Sequence, residues 1–145
     1  IRADVSAEIG GYHSDICKMF ALEEVSNEAK KYMEITKQAQ ETALKTIKPG
    51  VKASDIFKAG VEVPKNAGYT DYFRHHVGHG LGLEAHEQPS LNPRNKTLIK
   101  PNMVLCVETP YYIWGLGGFL PEDTVVVTDS GFEYITRHDR EIIVI

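Results

Sequence analysis

The stretch IRADVSAEIGGYHSDICKMF, residues 1–20, decides the fold. Ile1, Ala3, Val5, Ala7 and Ile9 are apolar, and Arg2, Asp4, Ser6 and Glu8 between them are polar, which is the period-two pattern of a half-buried strand. Gly10-Gly11 supplies a tight turn. Tyr12 to Phe20, rich in aromatic and branched residues, returns as a second strand. With the turn there, Asp15 opposes Ser6 and lies diagonal to Asp4, about 7–8 Å away across Cα positions, close enough for both side chains to reach one point. Two anions so placed repel, and a dication between them would reverse the sign. Charged residues are mostly exposed, so the pair taken alone reads as a wet outer face.

Downstream of the hairpin, Ser26 caps a helix whose Tyr32, Ile35, Ala39, Ala43 and Ile47 recur at three- and four-residue steps, and Pro49-Gly50 stops it. Ser54 is expected to cap a second, shorter helix that Pro64 ends or kinks before Gly68. From Arg74 to Pro93 the chain is dense in His and Gly, too irregular for a helix and suited to a loop-rich site. Met103 to Val107 is a buried strand, interrupted by Glu108 and closed by Thr109-Pro110. A glycine-rich stretch from Trp114 to Gly118 leads to Glu122, Asp123 and a Val-rich strand, and the last strands are expected at Phe132 to Thr136 and Glu141 to Ile145. A strand pair, two helices and then mostly strands make an α+β fold with helices on one face of a sheet.

Composition bounds the function. The 145 residues suit one domain, with 42% hydrophobic and 25% charged residues, an ordinary globular mixture. The formal net charge is −4 with no basic block, which speaks against nucleic acid and anionic membrane as partners. No apolar run approaches the roughly 20 residues of a membrane helix, and residues 1–20 do not form a charged-then-apolar leader, so the expected location is cytoplasmic. Cys17 and Cys106 are expected to be free thiols.

Glu108 is the hardest carboxylate to dismiss, because it breaks an apolar run and ionised groups are almost never buried unless paired or bound to metal. Glu122 depends on its company. His79 sits inside VGHGLG, where flanking glycines let backbone and ligand approach closely, and His75, His76, His79 and His86 crowd one segment. Carboxylates and imidazole together suit Mn²⁺, Fe²⁺, Co²⁺ or Zn²⁺. A carboxylate-rich set also suits two ions about 3.5–4 Å apart that share a hydroxide, and hydrolysis is the natural reaction.

DVSAEIGGYHSDICKMF around Asp4 and Asp15, GHGLGLEAHEQP around His79 and His86, VET around Glu108 and PEDTVVVT around Glu122 together resemble the M24 metallopeptidases, in family order and over nearly the whole chain. That family includes methionine aminopeptidase, aminopeptidase P and Xaa-Pro dipeptidase. The resemblance implies the pita-bread (creatinase/aminopeptidase-like) fold and two divalent ions, Mn²⁺ ahead of Co²⁺, Fe²⁺ or Zn²⁺. It makes Asp4 a chelator of one metal, Asp15 and Glu122 bridging ligands, and His79 and Glu108 ligands of the second. Glu108 would also take a proton from a metal-bridging water, and His86 would hydrogen-bond the scissile carbonyl or its oxyanion. His75, four residues before His79, matches a substrate-contacting His of proline-specific members, whereas His76 has no motif support.

Leu83-Glu84-Ala85 before His86 is more like Xaa-Pro peptidases than methionine aminopeptidases, where an aromatic residue commonly precedes that His. The expected substrate is therefore an Xaa-Pro dipeptide or peptide, cleaved at its N-terminal peptide bond. Two positions depart from the proline-specific pattern: Lys18 stands where many such members carry Arg, as in methionine aminopeptidases, and Leu120 replaces an Arg two residues before Glu122. Neither reproduces a planar guanidinium fork. Family members carry more chain before the first Asp ligand, so residues 1–145 read as the C-terminal catalytic portion of a longer enzyme, with an open sheet edge and weak or no activity unless another chain covers it. Dimers are common in the resembling family, so a homodimer is one assembly the resemblance allows, and the residues themselves do not fix the oligomeric state. The rivals are a methionine aminopeptidase and a non-catalytic peptide- or protein-binding module of the same fold. Cys17 and Cys106 share strand faces with the candidate ligands and read as small buried filler; Tyr111, Tyr112 and Trp114 receive no role.

Overall fold

A computed structural model describes residues 1–137 and 141–145. The hairpin forms as the alternation requires: β1 (Arg2–Ile9) pairs antiparallel with β2 (Tyr12–Ala21), and Gly10 and Gly11, at φ 60° and 84°, make the turn. Ser6 faces Asp15 and Asp4 faces Cys17, the register read from the turn position. On the far side of β2, β9 (Ile143–Val144) adds in parallel against Phe20 and Ala21. It is shorter than the Glu141 to Ile145 strand expected from the sequence.

Helix α1 (Asn27–Thr46) begins at Ser26, whose hydroxyl accepts the Ala29 N–H. Helix α2 (Ala53–Asn66) corrects the expected cap: Ser54 lies inside the helix, and Lys52 at the N-cap makes no side-chain bond. The free N–H groups of Ala53 and Ser54 instead donate to the carbonyls of Thr97 and Asn95, so the loop at residues 95–97 does the work a cap side chain would do. Pro64 sits in the last turn of α2, and the helix ends at Asn66, before Gly68. The two helices pack closely through small residues, since a Cβ built on Gly60 would lie 3.3 Å from that of Ala43.

The His/Gly-rich segment is more regular than its composition predicts. It contains the short strand β3 (Gly78–Gly80), the edge of a sheet ordered β3-β4-β7-β8, with β4 at Val104–Glu108, β7 at Glu122–Val127 and β8 at Phe132–Tyr134. Glu108 is the last residue of β4 rather than a break in it. Hairpin β5 (Tyr111–Ile113) and β6 (Gly117–Phe119) accounts for the glycine-rich connection. Of the aromatic residues without a role, Tyr111 is buried and edge-on to Tyr32, Tyr69 and Tyr72, while Tyr112 and Trp114 are exposed.

Period-two alternation assigns the two faces of this sheet. Leu105, Val107, Val125 and Val127 are fully buried in one cluster with Ala43, Leu44, Ile47 and Ile56 of the helices. Gln40 of α1 ties the same face down by donating to the Val107 carbonyl and to Asp123. Residues of the opposite parity, Cys106, Glu108, Glu122 and Thr124, therefore point away from the helices.

Close approach of β3 to β4 depends on glycine. Gly78 has φ +144°, and a Cβ there would lie 2.1 Å from the Cys106 carbonyl oxygen. Gly78→Ala is expected to lower the unfolding free energy by about 1–3 kcal/mol or more, whereas Gly131→Ala, facing open space, should change it by less than about 0.5 kcal/mol. Urea titration of both variants measures the difference; equal midpoints would contradict this packing.

Candidate metal centre

Register brings the candidate ligands into rows. His79 on β3 pairs with Cys106 on β4, which pairs with Thr124 on β7, and Glu108 pairs with Glu122 one step along. Thr124 docks the hairpin onto this sheet by donating its hydroxyl to the Asp15 carbonyl at 2.8 Å. Asp4 and Asp15 thereby meet residues that lie more than sixty positions away in the chain.

Two donor groups result. In one, ligand atoms of Asp15, His79 and Cys106 lie within 4.8 Å of one another; in the other, those of Asp4, Cys17 and Glu122 do. His79 Nε2 is 3.6 Å from Asp15 Oδ2, and both side chains are largely buried. Its Nδ1 lies 3.0 Å from the Gly80 carbonyl. With Nδ1–H donating there, neutral His79 turns the Nε2 lone pair toward an anionic oxygen, an arrangement that a cation between them converts from repulsive to favourable.

Glu122 shows the same tension. It is 4% exposed, and its Oε1 accepts the Cys106 S–H at 3.1 Å. Burial first, then the neighbouring Asp15 and Asp4 carboxylates, push its pKa up to about 8, against the lowering effect of the Cys106 hydrogen bond. The Cys17 thiol is pushed up to about 12 by burial and by the charges of Glu122 and Asp4, and the Cys106 thiol is raised well above its ordinary range for like reasons. Oxygen, nitrogen and sulfur donors held close beside one another, most of them buried and Asp4 open to solvent, fit a divalent cation.

Glu108 belongs to neither group of three; its Oε1 faces His76 Nδ1 at 3.5 Å. His76 Nδ1 is buried with no hydrogen-bond partner among the described residues, and desolvation lowers the His76 pKa against the pull of Glu108. His76 is thus the histidine nearest Glu108, although no motif singled it out; the signal available was a second His beside His75. His75 itself is exposed, with its ring edge-on to Phe73. His86 returns over the site because Gly80 and Glu87 exchange backbone hydrogen bonds of 3.0 and 2.8 Å, closing the intervening loop so that the His86 ring stacks on His79 with centroids 3.9 Å apart. Its outer side is open to solvent. Leu120, where an Arg was the family expectation, is buried with Cys17, Met19, Met33 and Phe119.

A cavity of about 620 Å³ adjoins this centre through His76. Phe57, Val61 and Tyr72 give it apolar walls, and Arg74 and Arg94 give it cationic ones.

This fold and this donor set define the class of protein. Residues 1–129 match metallopeptidase family M24, and the chain belongs to that family. It is 36% identical over 140 residues to an Xaa-Pro dipeptidase of Pyrococcus furiosus, covering 97% of this chain and 40% of that one. Its backbone superposes on an X-Pro aminopeptidase from Thermotoga maritima with a TM-score of 0.95 at 35% identity, covering 99% of this chain and 40% of the other. The fold is therefore the α+β pita-bread arrangement, present here in part, since the chain spans about 40% of the length of these relatives. The N-terminal domain of the FACT complex subunit SPT16 from Cicer arietinum has the same fold, with a TM-score of 0.87 at 22% identity, over 96% of this chain and 35% of that one.

The Glu122 environment predicts a pH dependence for the metal-free protein. Its carboxyl holds a proton more tightly folded than unfolded, so stability is greatest below the ordinary carboxylate range and falls as pH rises from about 4.5 towards 8. One proton sets a ceiling of about 1.4 kcal/mol per pH unit. Urea midpoints of metal-free protein across this window should fall, and Glu122→Gln should flatten the decline; an equally steep fall in that variant would refute the assignment.

Proposed function

We propose that this chain carries the catalytic centre of a metal-dependent peptidase that cleaves the N-terminal peptide bond of Xaa-Pro dipeptides or peptides. The convergence of Asp4, Asp15, His79 and Glu122 from strands far apart in sequence is the observation that carries this reading. In it, Asp4, Asp15, His79, Glu108 and Glu122 are the residues that would hold two divalent ions. Such ions supply Lewis acidity and make water acidic enough to attack at neutral pH.

The chain's own residues do the rest. Glu108, at the edge of the donor rows and half-buried, takes the proton of the attacking water and returns it to the leaving nitrogen. His76 stands against that carboxylate and limits where it can swing. His86, fixed by its stack on His79 but open on its outer side, donates to the carbonyl oxygen as negative charge develops on it. The cavity beside His76 receives the residue that follows the scissile bond: apolar walls suit a proline ring, and Arg74 and Arg94 suit a carboxylate that ends a dipeptide. His75, on the rim of that cavity, contacts the same part of the substrate.

Full-length protein supplied with Mn²⁺, Co²⁺ or Zn²⁺ should cleave Xaa-Pro dipeptides or Xaa-Pro peptides and leave Met-initiated peptides without proline intact. Cleavage of the Met peptides alone would make it a methionine aminopeptidase, and cleavage of none would make it a binding module.

Under the same conditions, His86→Ala should lower kcat about 10²–10³-fold with its metal content unchanged, and Glu108→Gln about 10²–10⁴-fold. Steady-state kinetics beside elemental analysis of each variant decides this. Wild-type kcat in either variant would remove that residue from the reaction.

A further inference from the structure

The chain has two cysteines, and each falls in one of the two donor groups: Cys106 with Asp15 and His79, Cys17 with Asp4 and Glu122. Both are buried, at 0% and 2% exposure, and both belong to strand faces that carry carboxylates, Cys17 two residues from Asp15 on β2 and Cys106 two residues from Glu108 on β4. Small buried filler, the reading their size invites, accounts for part of the Cys17 environment, which includes Met19, Met33 and Leu120. It does not account for Cys106, whose sulfur donates to Glu122 Oε1 at 3.1 Å beside Asp15 and His79. A methyl-sized filler would leave Glu122 Oε1 without this donor and would bring no metal-ligating atom beside Asp15 and His79; the thiol supplies both.

We propose that Cys17 and Cys106 are themselves metal ligands, one thiolate in each half of the centre, so that the site takes thiophilic divalent ions such as Zn²⁺ or Cd²⁺ through metal–sulfur bonds. This rests on the metal-centre reading above and deepens it. On binding, each S–H bond gives its proton to solvent and the sulfur lone pair goes to the ion. One half then offers carboxylate, imidazole and thiolate; the other offers two carboxylates and thiolate. Such sets are near what four-coordinate zinc uses, and they turn a carboxylate-rich site that would suit Mn²⁺ toward a softer metal.

X-ray absorption of reduced full-length protein loaded with Zn²⁺, with metal content measured on the same sample, tests this directly. The expected spectrum holds a sulfur shell at about 2.3 Å besides nitrogen and oxygen at about 2.0–2.2 Å. Cd²⁺ loading should add a thiolate-to-metal charge-transfer absorption. Cys17→Ser and Cys106→Ser should each remove about half of both signals, and the double variant all of them, while circular dichroism stays unchanged. Bound zinc with only nitrogen and oxygen neighbours would overturn the thiolate proposal and leave the metal centre standing. Absence of any bound ion would overturn both. Should either serine variant lose its fold, the wild-type sulfur shell alone decides.

Discussion

Carboxylates that converge on one site repel one another, and in this chain that repulsion is built into the strand register. Asp15 and Asp4 come from a hairpin whose pairing is fixed by its glycine turn, and Glu108 and Glu122 stand directly opposite each other on β4 and β7. Glu108 and Glu122 cannot turn away without breaking the alternation that puts Leu105, Val107, Val125 and Val127 against the helices. Apolar packing on one face of the sheet thus holds anions together on the other. Positive charge placed among them relieves the conflict, and a multivalent ion does so in the smallest volume.

The architecture follows from that division. Helices α1 and α2 serve mainly to cover the apolar face, and their close crossing through Gly60 and Ala43 keeps the layer thin. The hairpin β1-β2 is tied to the rest of the site by Thr124, whose hydroxyl donates to the Asp15 carbonyl, and by the His13 N–H, which donates to the Gly82 carbonyl. Gly78 lets β3 approach the Cys106 backbone, and Gly80 lets the chain at Gln88 close over the other side of His79. The loop closed between Gly80 and Glu87 then folds His86 back over it.

Much of this could be read in the sequence, because its strongest signals are periodic. Alternation over residues 1–9 and the Gly10-Gly11 turn gave the hairpin register down to the Ser6 and Asp15 pair. What could not be read is long-range. The α2 cap comes from carbonyls of Thr97 and Asn95, some forty residues downstream, so the local serine was a false lead. Strand β3 is hidden in a glycine-rich run because its pairing, not its composition, makes it a strand. His76 rather than His75 faces Glu108, a matter of side-chain direction that adjacent residues of one type cannot reveal. Both cysteines sat on the expected faces, but only coordinates separate them into two different donor groups.

The central claim is that ions sit among these donors, and anomalous diffraction from crystals of the full-length protein grown with Mn²⁺ or Zn²⁺ tests it most directly. Two neighbouring peaks are predicted, one bordered by Asp15 and His79 and the other by Asp4 and Glu122. Ordered side chains with no anomalous density among them would contradict the account.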